Sequence, residues 1–444
     1  MFWIELGIFL ACIVVGARIG GIGLGTIGGF GLMIFVFLFH LPPGSPPGTV
    51  LGMIIAVITA LAVMQAAGGL DFLVQTAEGI LRKRPRQITF LGPLVTYILV
   101  FAAGTQHVIY ALLPVISEVS RRAGIRPERP ISISVIASLQ ALVASPVSAV
   151  TVALVGVLAA KNAGLPQILI VMIPATIIGV AAGILSVWWK GKELNEDPEY
   201  QKRLQEGKVK AVEESTPLEG QARARAIGSC IVFVIAILSV VAIGIFPGLR
   251  PVYQKFTEEV VETGQVEMGR AIMIVMLCAA GIMMVLFKAS PEVAVKGSMM
   301  KGGLVALISI LGVSWLGSSF FEANQNAIVH AISGQIQSHP WIFSAGLFTL
   351  SILLFSPAAT IVILAPVGIA LGLGAKDLIG AYPSVNGLFF LPTYGTILAA
   401  VSFDQTGTTR IGKYLLNHSF MIPGLVTTIV ATVVAMVLSS MFLK

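Results

Sequence analysis

The chain has 444 residues, 56% of them hydrophobic and only 11% charged, with a mean hydropathy of +0.93. Soluble domains carry roughly 25% charged residues, so this composition excludes a water-compatible surface and marks an integral membrane protein. The net charge of +7 does not point to nucleic acid, because the basic residues sit in short clusters between apolar spans, where the positive-inside rule places them.

Spans of roughly 20 apolar residues can cross a hydrocarbon core. In chain order they are expected at 2–17, 21–40, 49–68, 165–189, 227–247, 269–287, 302–320 and 415–442. The N-terminal run lacks the basic segment of a signal peptide and is closed by Arg18, so it reads as a retained helix with Trp3 at the interface. Two further regions, 131–160 and 379–403, are long enough to cross but are interrupted by Ser145-Pro146 and Leu391-Pro392. Proline removes a backbone donor and disfavours helix in the residue before it, so each is expected as two half-helices. Cys12, Cys230 and Cys278 lie in apolar segments without ligand spacing and read as small buried hydrophobes.

Charge sets the expected topology. Arg18, the clusters 82–86 and 121–129, Lys288, Lys296, Lys301, Arg410, Lys413 and the hydrophilic stretch 190–226 mark cytoplasmic turns. Loops 41–48 and 321–340 contain no Lys or Arg and belong outside. Segment 88–118 then lies between two basic clusters on one side of the membrane. It cannot cross once without violating the charge rule, and it is short for crossing twice. A re-entrant helical hairpin with its tip at Gly104-Thr105-Gln106 satisfies both constraints. Segment 341–372 reads the same way from the outside, with its tip at Ser356-Pro357.

The two halves share a proline pattern. Gly104 is followed ten residues later by Pro114, and Ser356 ten residues later by Pro366. Each set continues to its broken crossing and closes on the tripeptide Met-Ile-Pro, ending at Pro174 and Pro423. Each half thus holds five crossings and one hairpin. The expected fold is an all-α polytopic membrane protein of two inverted repeats, 1–189 and 227–444, with both chain ends outside. The linker 190–226 balances eight basic against eight acidic residues and reads as a solvated cytoplasmic connector.

Interrupted hydrophobic segments in corresponding halves are the sequence-level pointer to a secondary transporter's binding site. Here the interruptions carry Gly104, Thr105 and Gln106; Ser145, Pro146 and Ser148; Ser356, Pro357, Ala358 and Thr360; and Pro392, Thr393, Gly395 and Thr396. Each break exposes the N-terminus of a half-helix, whose free N–H groups and positive dipole end favour an anion. Small residues also serve simply to pack helices, but four breaks matched across two halves favour a site. One hairpin tip and one break per repeat suit the two ends of a short dianion. His107 could touch substrate or carry a proton. Asp71 and Glu78 read as an interfacial face, and Asp404 as a ligand for a coupling cation or, by preference, as the partner of Arg410. No metal ligand set, nucleotide loop or hydrolytic constellation is present, so no enzyme or cofactor is expected, and transport runs by exchange or is coupled to Na⁺ or H⁺.

The motifs Gly16-Ala17-Arg18, Ala67-Gly68-Gly69-Leu70-Asp71, Ala144-Ser145-Pro146-Val147-Ser148, Leu391-Pro392-Thr393-Tyr394, Gly407-Thr408-Thr409-Arg410 and Asn417-His418 resemble those of the bacterial anaerobic C4-dicarboxylate transporters of the Dcu A/B type, closest to the A branch. The resemblance covers nearly the whole chain. It implies an inner-membrane carrier that exchanges or takes up fumarate, succinate, malate and aspartate. A wider similarity to ion-transporter folds implies elevator-type motion of the hairpins and broken helices, and a homodimer. Carriage of citrate or a monocarboxylate, and a non-transporting receptor or co-sensor, are the alternatives. Gln106, Pro357 and Gly395 depart from the family pattern, which bears on substrate preference more than on fold.

Overall fold

A computed structural model describes residues 1–444 except 20–21, 47, 162, 210–217, 257–260, 355, 393, 413–415 and 444. In chain order the helices are α1 Phe2–Ile19, α2 Gly23–Met33 (continued as a π-turn to Leu38), α3 Gly48–Ala66, α4 Gly69–Lys83, α5 Ile88–Ala103, α6 Ile109–Arg122, α7 Glu128–Ala144, α8 Ala149–Leu158, α9 Leu165–Val187, α10 Pro198–Gln205 and α11 Gly220–Ile245. After strands β1 Val252–Phe256 and β2 Val261–Gln265 come α12 Met268–Phe287, α13 Pro291–Lys296, α14 Ser298–Ser338, α15 Trp341–Leu354, α16 Pro357–Ala370, α17 Ala375–Ala381, α18 Gly395–Phe403 and α19 Met421–Phe442. Among the described residues seven helices, or up to eight if a bent pair counts as one, are long and apolar enough to cross a membrane.

Four features differ from expectation. The chain is not entirely α-helical: β1 and β2 pair antiparallel, Val252 opposite Gln265, in the polar loop before α12. Residues 321–338, expected as loop, continue α14, because they contain no proline or helix-ending turn before Pro340. The last crossing begins at Met421 rather than 415. Cys278 is exposed, unlike Cys12 and Cys230, because it shares the outward face of α12 with the exposed Ile274, Leu277 and Ile282.

The chain forms two compact units, each drawing on both sequence halves. The first comprises Met1–Leu70, Thr151–Leu169 and Glu219–Asn324. There α2 lies against α14 so closely that a Cβ on Gly25 would collide with the Ile308 carbonyl, and one on Gly312 with the backbone of Gly25. Glycine at both contacts permits this backbone approach, the small-residue packing that membranes favour. Loop 41–48 is tied to α14 through Gly44 N–H to Ser319 Oγ (2.9 Å). Asn324 donates to Glu5 (2.6 Å), partnering a carboxylate that is otherwise buried.

The second unit comprises Asp71–Val150, Ile170–Leu218 and Gln325–Lys444 and contains both segments expected as hairpins, 88–118 and 341–372. Its centre is α7, buried on every side apart from Leu142, the burial pattern of a helix surrounded by others. Helices α5, α6, α18 and α19 pack around it. Serines at 132, 134 and 138 keep its surface small where neighbours approach. Tyr97 of α5 shares a 2.7 Å hydrogen bond with Thr176 of α9, so its buried hydroxyl is satisfied.

The linker is less solvated than its balanced charge implies. Arg126 donates to Glu128 (2.7 Å) and Asp197 (2.5 Å), Lys190 pairs with Glu128 (3.0 Å), and Arg129 holds Glu193 (3.0 Å). Its first residues are thus fastened to the start of α7. Burial pushes the Asp197 carboxyl up, but hydrogen bonds from the Tyr200 N–H and from Arg126 outweigh this and hold it below the usual carboxylate range.

Candidate functional site

The candidate residues all fall in the second unit. Helix α5 ends at Gly104, whose φ of 62° is left-handed, a conformation costly to residues with a Cβ. A Cβ there would also stand 2.8 Å from the Val147 carbonyl oxygen. The first tip therefore needs glycine twice, and it rests directly on the first broken crossing.

That break forms because Ser145 precedes a proline. Ser145 leaves the helix with ψ 128°, as steric contact with a following proline ring requires. Its Oγ donates to the Phe101 carbonyl (2.7 Å) at the end of α5, and Ser148 Oγ donates to the Leu142 carbonyl (2.5 Å). Helix C-termini leave carbonyls without intrahelical partners, and these two hydroxyls satisfy them. In this structure the protons of both serine hydroxyls go to backbone carbonyls.

The second tip uses its serine in the opposite sense. Ser356 caps α16, its Oγ accepting from the Ala359 N–H (3.2 Å), with Pro357 at the first helical position. Proline fits there because its missing N–H would have no partner. Thr360 returns its hydroxyl to the Ser356 carbonyl (2.9 Å). Ala358 and Thr360 are buried behind the tip. This hairpin joins the second break through α15, where Ser351 accepts from the Gly387 N–H (2.9 Å) and Phe348 packs on Phe389 and Phe390.

The second break is much longer than a single interruption at Leu391-Pro392. Helix stops at Ala381, passes through two 3₁₀ turns, Tyr382–Val385 and Gly387–Phe389, and resumes only at Gly395. Thr393 lies outside the described residues, as does the side chain of His107. Pro392 is buried, Gly395 is exposed, and a Cβ on Gly395 would approach the Tyr110 hydroxyl to 2.8 Å. Thr396 is 3% exposed and its hydroxyl has no partner among the described residues.

One contact brings the first tip to the second break. Gln106, 5% exposed, donates through Nε2 to Ser138 Oγ (2.8 Å) and accepts at Oε1 from the Tyr394 hydroxyl (3.0 Å). The first tip, the first break and the second break thus meet, linked by Ser145 to Phe101 and by Gln106 to Tyr394. Tyr394, Tyr110 and Ser138 were not among the candidates. The available signal was position: Tyr394 belongs to the break motif, and Tyr110 stands one helical turn after Gln106.

Asp404 is corrected outright. Instead of pairing with Arg410, it is 1% exposed and accepts from Thr406 N–H (2.9 Å) and Oγ1 (2.5 Å), Thr408 Oγ1 (2.9 Å) and Thr409 N–H (2.6 Å). The tight turn after α18 aims these donors inward, and four hydrogen bonds satisfy the carboxylate without a cation. Thr408 also accepts from the Glu128 N–H (3.1 Å), joining this turn to the start of α7.

A family model described as anaerobic C4-dicarboxylate membrane transporter matches residues 1–443. The C4-dicarboxylate transporter DcuA of Wolinella succinogenes is 40% identical over 96% of this chain and 96% of that protein. DcuA of Escherichia coli is 38% identical over the full length of both chains, and an E. coli anaerobic C4-dicarboxylate transporter DcuB is 35% identical over 100% of this chain and 99% of its own. Among solved structures, the YdaH transporter of Alcanivorax borkumensis superposes with a TM-score of 0.57 at 13% identity, covering 99% of this chain and 96% of that one. MtrF of Neisseria gonorrhoeae gives a TM-score of 0.50 at 13% identity, covering 93% and 84%. These two likenesses concern the fold alone.

Proposed function

The chain belongs to the anaerobic C4-dicarboxylate membrane transporters, a family of transporters and not of enzymes, and from that premise we propose that it is a secondary carrier of fumarate, succinate, malate and aspartate. It works by exchange or by cation-coupled uptake in a bacterial inner membrane, with both termini on the periplasmic side. Its hairpins and broken helices form one transport body within each copy of a homodimer, and its two inverted repeats supply corresponding ends of the site. The substrate's carboxylates are received by half-helix N-termini, where N–H groups and the helix dipole favour negative charge without a buried cationic side chain.

The observation that carries this reading is the meeting of the first tip with both breaks through Gln106, Tyr394 and Ser145. Non-helical backbone at membrane depth survives only when buried in protein or lining a cavity, and here three such pieces are held together. The helix starts at Pro357 and Gly395 bring first-turn N–H groups, of the kind an anion takes, to the second tip and the second break. The test is counterflow of labelled succinate into proteoliposomes holding the purified chain, with and without a Na⁺ gradient. Accumulation driven by internal succinate is expected. Measurable succinate binding with no counterflow would make the protein a receptor and overturn the proposal.

A further inference from the structure

Asn386 sits between the two 3₁₀ turns that replace helix at 382–389, and its side chain is fully buried. Neither its Nδ2 nor its Oδ1 has a hydrogen-bond partner among the described residues. Leaving a buried polar group unsatisfied forfeits its hydration without return, so an amide with both ends orphaned points to a missing occupant. The elements packed against it, α7 and α19, carry further orphans, Gln140 and Thr432 among them. Gln140 of α7, also fully buried, donates Nε2 to Thr428 Oγ1 (3.3 Å) and leaves Oε1 without a partner. Thr432 of α19, 8% exposed, has an unpartnered hydroxyl.

The geometry of α19 brings these groups to one place. Gly424 lies against the Phe389 ring, while Gly380 lies against Met436 and Ser439. Residues 424, 428, 432 and 436 form a row that turns about 40° round α19 at each step, and its two ends meet Phe389 and Gly380. The row therefore runs antiparallel along 380–389, with Asn386 between its ends and Thr428 and Thr432 as its middle members. Gln140 reaches the same row through its bond to Thr428.

We infer that Asn386 Oδ1, Gln140 Oε1 and Thr432 Oγ1 form a site for a Na⁺-sized monovalent cation. The donors are neutral oxygens, the ligand type that hard cations take. Without a carboxylate they cannot offset the dehydration of a divalent ion, whereas a single charge needs less compensation. Gln140 presents an acceptor to the space, which disfavours an anion, and the orphaned donor Asn386 Nδ2 is left to a water. The site stands two residues along α7 from Ser138, which holds Gln106 at the first tip. A cation there orders α7 from one side while the tip is held from the other, which couples ion binding to the substrate site. This inference rests on the carrier reading for its purpose and on the orphaned oxygens for its location.

The experiment is thermal unfolding of the purified full-length chain in NaCl, KCl or choline chloride at equal ionic strength, each with and without succinate. Na⁺ is expected to raise the melting temperature by roughly 1–2 °C once it exceeds its Kd about tenfold, an effect K⁺ and choline do not reproduce. Asn386→Leu and Gln140→Leu are each expected to abolish the Na⁺-specific rise. If one of them does not fold, Thr432→Val replaces it under the same criterion. A wild-type chain equally stable in the three salts would mean that the orphaned amides hold water, and retention of the Na⁺ rise in either variant would equally overturn the site. The succinate-induced rise measured in choline reports separately on the carrier reading.

Discussion

Replacing Tyr394 by phenylalanine removes the hydroxyl that donates to Gln106 Oε1 at 3.0 Å and orphans an amide oxygen on a side chain only 5% exposed. Orphaning such a group costs about 1–3 kcal/mol. Gln106→Leu removes the amide itself. Ser138 keeps its own 2.6 Å bond to the Val135 carbonyl, so this change forfeits two hydrogen bonds and takes from the tyrosine hydroxyl its Gln106 acceptor. In the double variant neither partner is left facing an empty position. The pair should therefore cost about 1–2 kcal/mol less together than the sum of the single changes, within the range seen for residues in one network. Denaturant unfolding of the four proteins in detergent measures this coupling, and succinate titration of the same samples measures its effect on the site. If the full coupling bears on the bound state, Tyr394→Phe weakens succinate about tenfold for each 1.4 kcal/mol. Additivity within about 0.3–0.5 kcal/mol would refute the argument that this bond holds the first tip to the second break.

Gly104→Ala should destabilise by at least about 1–2 kcal/mol through the left-handed backbone alone, with a further loss from the Val147 carbonyl; Gly124→Ala, at φ 71° but facing open space, is the control that carries only the first cost. Ser356→Asp keeps the N-cap acceptor and hence the stability of α16, but adds a negative charge at the second tip, so succinate affinity should fall at least about tenfold with unfolding little changed; unchanged affinity would exclude this tip as an anion site. His418 donates Nε2–H to the Phe390 carbonyl and accepts the Phe420 N–H at Nδ1, both at 3.2 Å. Burial, opposed by the Phe390 bond and assisted by Lys190, holds this imidazole below its usual pKa. The unfolded chain then binds the proton more readily, so stability present above about pH 6.5 should decline as pH falls towards the lower folded value. His418→Gln should flatten that decline, measured as melting temperature against pH.

Much of the fold was legible because its signals are local. A run of twenty apolar residues needs no knowledge of its neighbours to be a membrane helix. Gly104, Ser145-Pro146 and Ser356-Pro357 interrupt helices where their backbone chemistry says they must. The dismantled stretch 382–394 was not legible, because its 3₁₀ turns depend on packing against α15 and α19 and carry no proline between Pro383 and Pro392. The same holds for Asp404, whose nearest charged neighbour in sequence, Arg410, was the natural partner until the turn placed three threonines around it.

The amino-acid sequence by itself determined that this chain lives in a membrane, where its helices break, and which residue types stand at the breaks. The tertiary structure alone decided what those residues do. Gln106 and Tyr394 are 288 positions apart, and nothing in local propensity can say that they meet. Nor can it say that Ser145 gives its proton to a carbonyl while Ser356 receives one from an N–H. A hydroxyl is both donor and acceptor, and only the backbone groups that folding brings beside it select between the two.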